Sequence, residues 1–119
     1  MLYVDGFVVP VPAGNIGEYH AIAEKAGAIW MEHGALDYQE CLADDVAAGK
    51  VTSFPRSVKL APDEIVVFSY IVYKSRKDRD RINAKVMKDP RLSDMMKGKA
   101  MPFDGKRLIY GGFKTLVSA

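Results

Sequence analysis

An aspartate in the middle of an apolar strand is the first residue in this chain that calls for a chemical explanation. Asp5 lies in the run Leu2-Tyr3-Val4-Asp5-Gly6-Phe7-Val8-Val9. Alternation puts Tyr3, Asp5, Phe7 and Val9 on one face and Leu2, Val4, Gly6 and Val8 on the other. A carboxylate inside a sheet is costly unless it is paired or protonated. Asp5 is therefore a candidate general base or ligand anchor. The competing reading is a structural hydrogen bond or ion pair, with Lys106 or Arg107 as its cation. His33 is the second candidate for catalysis. It follows Trp30 by one turn on the stripe Ile16, Tyr19, Ala23, Ala26, Trp30 and His33. A histidine beside an aromatic suits a proton shuttle or an axial ligand. Against that, Gly34 marks the helix end, where a histidine simply favours the dipole.

Further candidates line a ligand site rather than perform chemistry. Tyr3, Trp30, Phe68, Tyr70, Phe103, Arg107 and Tyr110 are those residues. Phe68, Tyr70, Tyr73 and Tyr110 lie at strand spacing, which fits a pocket, a dimer seam or plain core. The segment Met101-Pro102-Phe103-Asp104-Gly105-Lys106-Arg107 combines apolar, stiff, tight-turn and cationic residues. It reads either as a lid or anion clamp, or as a plug leading into the last strand. The region 74–91 holds eight Lys or Arg residues interleaved with Asp78, Asp80 and Asp89. A basic helix can bind phosphate backbones. Interleaved acids without an aromatic platform fit a solvated, ion-paired face better and argue against a nucleic-acid partner.

These residues need elements to hold them. Residues 2–11 read as a strand ended by Pro10 and Pro12. Residues 15–33 read as a helix capped by Asn15 and stopped by Gly34. Residues 35–43 read as a second strand, and 53–60 as a short helical turn capped by Ser53 with Pro55 in its first turn. Residues 65–73, apolar on both faces, are the strongest strand. Residues 75–88 read as a helix with Ile82 and Val86 inward, and 91–97 as a short helical piece. Residues 106–117 form the last strand, with a bulge or bend at Gly111-Gly112. The order β-α-β-β-α-β predicts an α+β, ferredoxin-like antiparallel sheet with helices on one face. The other sheet face is also apolar and needs a cover, which predicts a homodimer through sheet faces.

The 119 residues suit one domain, 1–119, able to bury a core unaided. Hydrophobic residues make up 49% and charged residues 27%, which excludes a disordered chain. The net charge of +2 neither demands nor excludes a polyanionic partner. A lone cysteine, Cys41, precludes an internal disulfide and reads as an inert packed thiol. No Cys/His cluster suggests a metal, and no glycine-rich phosphate loop, nucleophile elbow or His-Glu-x-x-His is present. The start lacks a basic leader and no apolar run approaches membrane length, so a cytoplasmic protein is expected.

Two runs carry a family resemblance: Tyr3-Val4-Asp5-Gly6-Phe7-Val8-Val9, and Met101-Pro102-Phe103-Asp104-Gly105-Lys106-Arg107-Leu108-Ile109-Tyr110-Gly111-Gly112-Phe113. Together with Glu40-Cys41, Gly49-Lys50-Val51-Thr52, Val66-Val67-Phe68-Ser69 and Asp89-Pro90-Arg91, they resemble the YbaA-like bacterial proteins over essentially the whole chain. That family is one of unknown function. The resemblance implies the dimeric α/β-barrel superfamily, in which two ferredoxin-like sheets pack face to face. Its other members include cofactor-free monooxygenases, lactone isomerases and haem-handling enzymes, and a signal-recognition-particle RNA label attaches to some YbaA-like proteins. It supplies no catalytic motif to transfer. Three classes stay open: a homodimeric small-molecule site, extending to a cofactor-independent monooxygenase or isomerase; a non-catalytic ligand-binding or interaction protein; and an RNA-associated protein. No cofactor is expected.

Overall fold

The computed structural model describes residues 1–119. Four strands form one antiparallel sheet: β1 (Tyr3–Pro12), β2 (Asp37–Leu42), β3 (Glu64–Tyr73) and β4 (Ile109–Lys114), in the spatial order β2-β3-β1-β4. Between β1 and β2 runs α1 (Ile16–Glu32), after a single turn of 3-10 helix at Ala13–Asn15. The short α2 (Phe54–Ser57) precedes β3, and α3 (Arg76–Met87) and α4 (Pro90–Met96) precede β4. This is the ferredoxin-like α+β plan expected from the sequence. No helix is long and apolar enough to cross a membrane.

Register fixes which residues share a face. Tyr3, Asp5, Phe7 and Val9 of β1 lie opposite Tyr73, Ile71, Ser69 and Val67 of β3. Tyr38 and Glu40 of β2 lie opposite Ile71 and Ser69. Gly112 and Tyr110 of β4 lie opposite Asp5 and Phe7. All of these face α1, α3 and α4. The core there joins Tyr3, Ile29, Ala35, Ile71, Tyr73, Ile82 and Val86. Ile82 and Val86 are fully buried, so the thin stripe of α3 is its inward face. Each such side chain contributes about 1.5–3 kcal/mol by leaving water.

Several local expectations give way to tertiary structure. β1 continues through Pro10 to Pro12 instead of ending there. β4 pairs with β1 only from Tyr3 to Val8, so past Val8 that side of β1 is an edge, where a missing N–H breaks no ladder. Asn15 holds the N-cap position of α1 but makes no capping hydrogen bond; its side-chain amide donates to the Pro102 carbonyl at 3.0 Å and pins the loop before β4. Gly111-Gly112 is not a bulge, because the β1–β4 register runs unbroken through both. Gly112 is required for a different reason: a Cβ there would collide with the Tyr3 hydroxyl and lie 2.7 Å from ring carbon Cε2. The helices are not all on one face. The segment of α2 crosses to the opposite side, where Val58 and Leu60 pack on Val8 and Val66, and Phe54 meets Phe68 edge-on at 5.9 Å.

Arg107 closes the end of the sheet. Its guanidinium donates to Glu64 through both terminal nitrogens, at 2.7 and 2.6 Å, to Asp104 at 3.0 Å, and to the Lys59 carbonyl at 2.9 Å. Hydrogen bonding from Arg107 holds the Glu64 carboxyl below its ordinary value of 4.5, against the opposing effect of burial. A carboxyl with a lowered folded-state pKa stabilises the fold above its unfolded pKa and loses that contribution as pH falls. Two outcomes follow. Gly112→Ala should lower stability by about 1–3 kcal/mol in urea unfolding, the cost of overpacking a ring that cannot retreat. Glu64→Gln should be less stable than wild type at pH 7, and the gap between their urea midpoints should narrow as pH is taken well below 4.5.

Candidate functional site

Between the sheet and the helices lies a cavity of about 630 Å³. Its floor is the inward face of the sheet, with Asp5, Phe7 and Val9 from β1, Ser69 and Ile71 from β3, and Tyr38 and Glu40 from β2. Tyr19, Ala23, Ala26 and Trp30 of α1 form one wall. Arg79, Asn83 and Met87 of α3, with Leu92 and Met96 of α4, form another. Met101 and Phe103 of the loop before β4 close a third side. Seventeen of the 25 lining residues are hydrophobic, so the polar groups stand out as discrete anchors.

The polar groups gather at two poles. At one, Tyr19 and Tyr38 donate to the two carboxylate oxygens of Glu40, each at 2.7 Å. Burial and then the Glu40 charge push both phenols far up, so they remain protonated donors. At the other pole, Arg79 reaches from α3 to β1. Its terminal nitrogen donates to the Tyr3 hydroxyl at 3.1 Å, its plane lies over the Tyr3 ring at 4.9 Å, and its Nε stands 3.8 Å from Asp5 Oδ1. Burial works most strongly against the Arg79 charge, but Asp5, the Tyr3 hydroxyl and Asp80 together outweigh it and the guanidinium pKa moves up. Arg79 Nε is buried without a hydrogen bond. Next to this pole, Asn83 Oδ1 accepts from Trp30 Nε1 and from the Tyr73 hydroxyl, each at 3.1 Å. Burial first, then the Asp5 charge, push the Tyr73 phenol up.

Asp5 is therefore in the cavity, as a ligand anchor or base requires, and its cation is Arg79 rather than Lys106 or Arg107. Of the other sequence candidates, Trp30, Phe103 and Tyr110 line the same cavity. Tyr110 stacks on Phe7 at 6.1 Å and stays 75% exposed, which places it at the mouth. Tyr3 lies just behind the cavity, under Arg79. His33 is elsewhere. It is the C-cap of α1, and its Nε2 sits 2.9 Å from Asp89 Oδ2 at the N-cap of α4, so it ties two helices together. Phe68 and Tyr70 lie on the opposite sheet face, 6.2 Å apart. Arg107 is saturated by Glu64 and Asp104 and offers no anion clamp. The loop thus divides: its apolar half closes the cavity, and its cationic half braces the sheet end. Cys41 is exposed on the opposite face instead of packed. The α3 guanidiniums are engaged within the chain, Arg76 with Asp80, Arg79 with Asp5 and Asp80, and Arg81 with Asp78.

Sequence reasoning missed Arg79, Asn83 and the Tyr19–Glu40–Tyr38 group. The spacing 79, 82, 83, 86 would have put Arg79 and Asn83 on the inward stripe of α3 beside Ile82 and Val86. Tyr38 and Glu40, two apart on a strand, share a face by the same alternation used for Asp5. No group of three or more His, Cys, Asp or Glu side chains is arranged to hold a metal ion.

The chain is similar to proteins of known sequence and structure. Over 117 residues it is 51% identical to the uncharacterised protein YbaA of Escherichia coli K12, covering 98% of each chain, and equally to YbaA of Shigella flexneri. Among solved structures it resembles Rv0793 from Mycobacterium tuberculosis, with a TM-score of 0.61 at 11% identity over 100% of this chain and 99% of that one. It also resembles a nipsnap family protein of unknown function from Agrobacterium tumefaciens, with a TM-score of 0.56 at 19% identity over 96% and 87%. A dimeric ferredoxin-like protein from an uncultured marine organism matches with a TM-score of 0.56 at 11% identity over 99% and 96%. At these identities the structural matches establish the ferredoxin-like fold alone. A family model matches residues 2–105, and with the YbaA identity it places this chain in the DUF1428 family of proteins of unknown function.

Proposed function

We propose that this protein is a homodimeric small-molecule-binding domain whose site is the cavity between the sheet and α1, α3 and α4. The observation that carries the reading is the Asp5 carboxylate. It lies on the central strand with its side chain only 10% exposed, lines the cavity, and has its nearest cation at 3.8 Å, beyond hydrogen-bond length. The Tyr73 hydroxyl is shared between Asn83 Oδ1, at 3.1 Å, and Asp5, whose charge and hydrogen bonding push the phenol up. A buried carboxylate whose acceptor capacity is only partly used is destabilising, and an apolar space beside it supplies the room for a molecule that brings a further donor. Structural cores of this size fill such space with side chains; here Ala23 and Ala26 leave it open.

The dimer is supported by the other sheet face. Phe113, Ile109 and Phe68 are 63, 44 and 41% exposed there, and α2 covers only the end near Val8 and Val66. An apolar sheet face of this kind is stabilised by packing on its own copy. The dimeric ferredoxin-like protein of the same fold is consistent with that arrangement.

Two measurements test the reading. N-phenylnaphthylamine, an apolar dye that fluoresces out of water, should bind wild-type protein saturably at one site per chain. Ala26→Met, which fills the cavity from α1, should abolish that binding while leaving the circular dichroism spectrum unchanged; equal binding by the variant would place the dye elsewhere and defeat the cavity assignment. Light scattering at micromolar concentration should give twice the chain mass of 13.2 kDa, falling to that mass in Phe113→Asp. A wild-type mass of one chain would remove the dimer.

A further inference from the structure

We infer that the cavity selects a neutral aromatic hydroxy compound, a phenol or naphthol, whose hydroxyl donates to Asp5. This deepens the binding reading above and rests on it. Three observations converge. The first is the hydrogen-bonding state of the polar groups in the cavity. Glu40 already accepts two phenolic donors, and Asn83 Oδ1 accepts two more. Asp5 is the carboxylate with the weakest set of partners: Arg79 Nε at 3.8 Å, and the Tyr73 hydroxyl that it shares with Asn83. An occupant that brings an O–H or N–H to that point uses the acceptor capacity Asp5 has left.

The second observation is charge. Asp5 already has the Arg79 guanidinium 3.8 Å away, and Arg79 is itself braced by Tyr3 and by Asp80 at 3.2 Å. A ligand ammonium would have to stand next to a guanidinium that is itself mostly buried. A ligand carboxylate or phosphate would meet Asp5. A neutral donor meets neither repulsion and still gains a charge-assisted hydrogen bond.

The third observation is the shape of the walls. Phe7 with Tyr110, Tyr19 with Phe103, and Trp30 with Tyr38 form three aromatic pairs, with ring centroids 6.1, 5.8 and 6.2 Å apart. Faces and edges of this kind favour a flat ring. Met87, Met96 and Met101 supply adaptable apolar contact around it. A phenolic hydroxyl is also a stronger donor than an aliphatic one, which suits a carboxylate acceptor.

The test compares three fluorescent probes of nearly equal size on the wild-type protein: naphthol, its methyl ether methoxynaphthalene, and the cationic naphthylmethylamine at pH 7. Naphthol should bind about tenfold or more tightly than the ether, the worth of a hydrogen bond to a charged acceptor. In Asp5→Asn, checked for folding by circular dichroism, most of that preference should vanish through weaker naphthol binding, with the ether little changed. The wild-type comparison stands even if the variant fails to fold. Equal binding of naphthol and ether would overturn the Asp5 assignment and leave the cavity as a binding site. Tightest binding of the amine would overturn it in favour of a cation. Binding of none of the three, with the dye of the previous section also excluded, would overturn both readings.

Discussion

The structure turns on how a carboxylate is held on the central strand. Asp5 belongs to β1, which is flanked on both sides by other strands, so its face must be covered by helices. Desolvating a lone carboxylate costs several kcal/mol, by order of magnitude. Arg79 compensates it from α3, and this brings α3 down onto β1 at that point. The guanidinium is in turn supported by the Tyr3 ring and hydroxyl, and the ring needs the bare backbone of Gly112 beside it. One ion pair thus links β1, α3 and β4, with Ile82 and Val86 on the same helix face sealing the core next to it.

The compensation is incomplete. The pair stands at 3.8 Å rather than at hydrogen-bond length, and Arg79 Nε is buried without a hydrogen bond although Asp80 Oδ1 lies 3.2 Å from it. By contrast, the other partly buried ionic arrangements in the chain are tight. Glu64 and Arg107 meet through two hydrogen bonds, Asp89 gathers His33 and Arg91, and Glu40 takes both tyrosines. The loosely satisfied pair is the one that borders open volume. Imperfectly satisfied buried polar groups are uncommon in native proteins and concentrate at functional or strained sites. The two sheet faces differ accordingly: the helix-covered face encloses the cavity, and the opposite face leaves Phe113, Ile109 and Phe68 uncovered.

Much of this was legible in the residues. Alternation along β1 and β3 assigned their faces, and Asp5 was identifiable as a polar intrusion because its neighbours Tyr3, Phe7 and Val9 are apolar. The stripe on α1 located Trp30 and Tyr19 toward the sheet, and Ile82 with Val86 oriented α3. Local rules failed where a distant segment changed their meaning. Asn15 sits at the N-cap as its type suggests, but its side chain bonds to Pro102, 87 positions away, instead of to the helix. The two glycines of β4 looked like a bulge but make room for Tyr3. Pro10 looked like a terminator but sits where β1 has become an edge.

What the chain by itself determined was the periodicity, hence the order of elements and the residues each presents inward, because side-chain direction follows from backbone geometry alone. What only the tertiary structure decided was which charges meet. Sequence offered Asp5 eight cations in the 74–91 region and two more at Lys106 and Arg107. The fold sends Arg107 to Glu64, Arg91 and His33 to Asp89, and Arg79 to Asp5. Ion pairing across 74 positions depends on where α3 crosses the sheet, and that crossing is set by packing of Ile82, Val86 and Tyr73 rather than by any local pattern around Asp5 or Arg79.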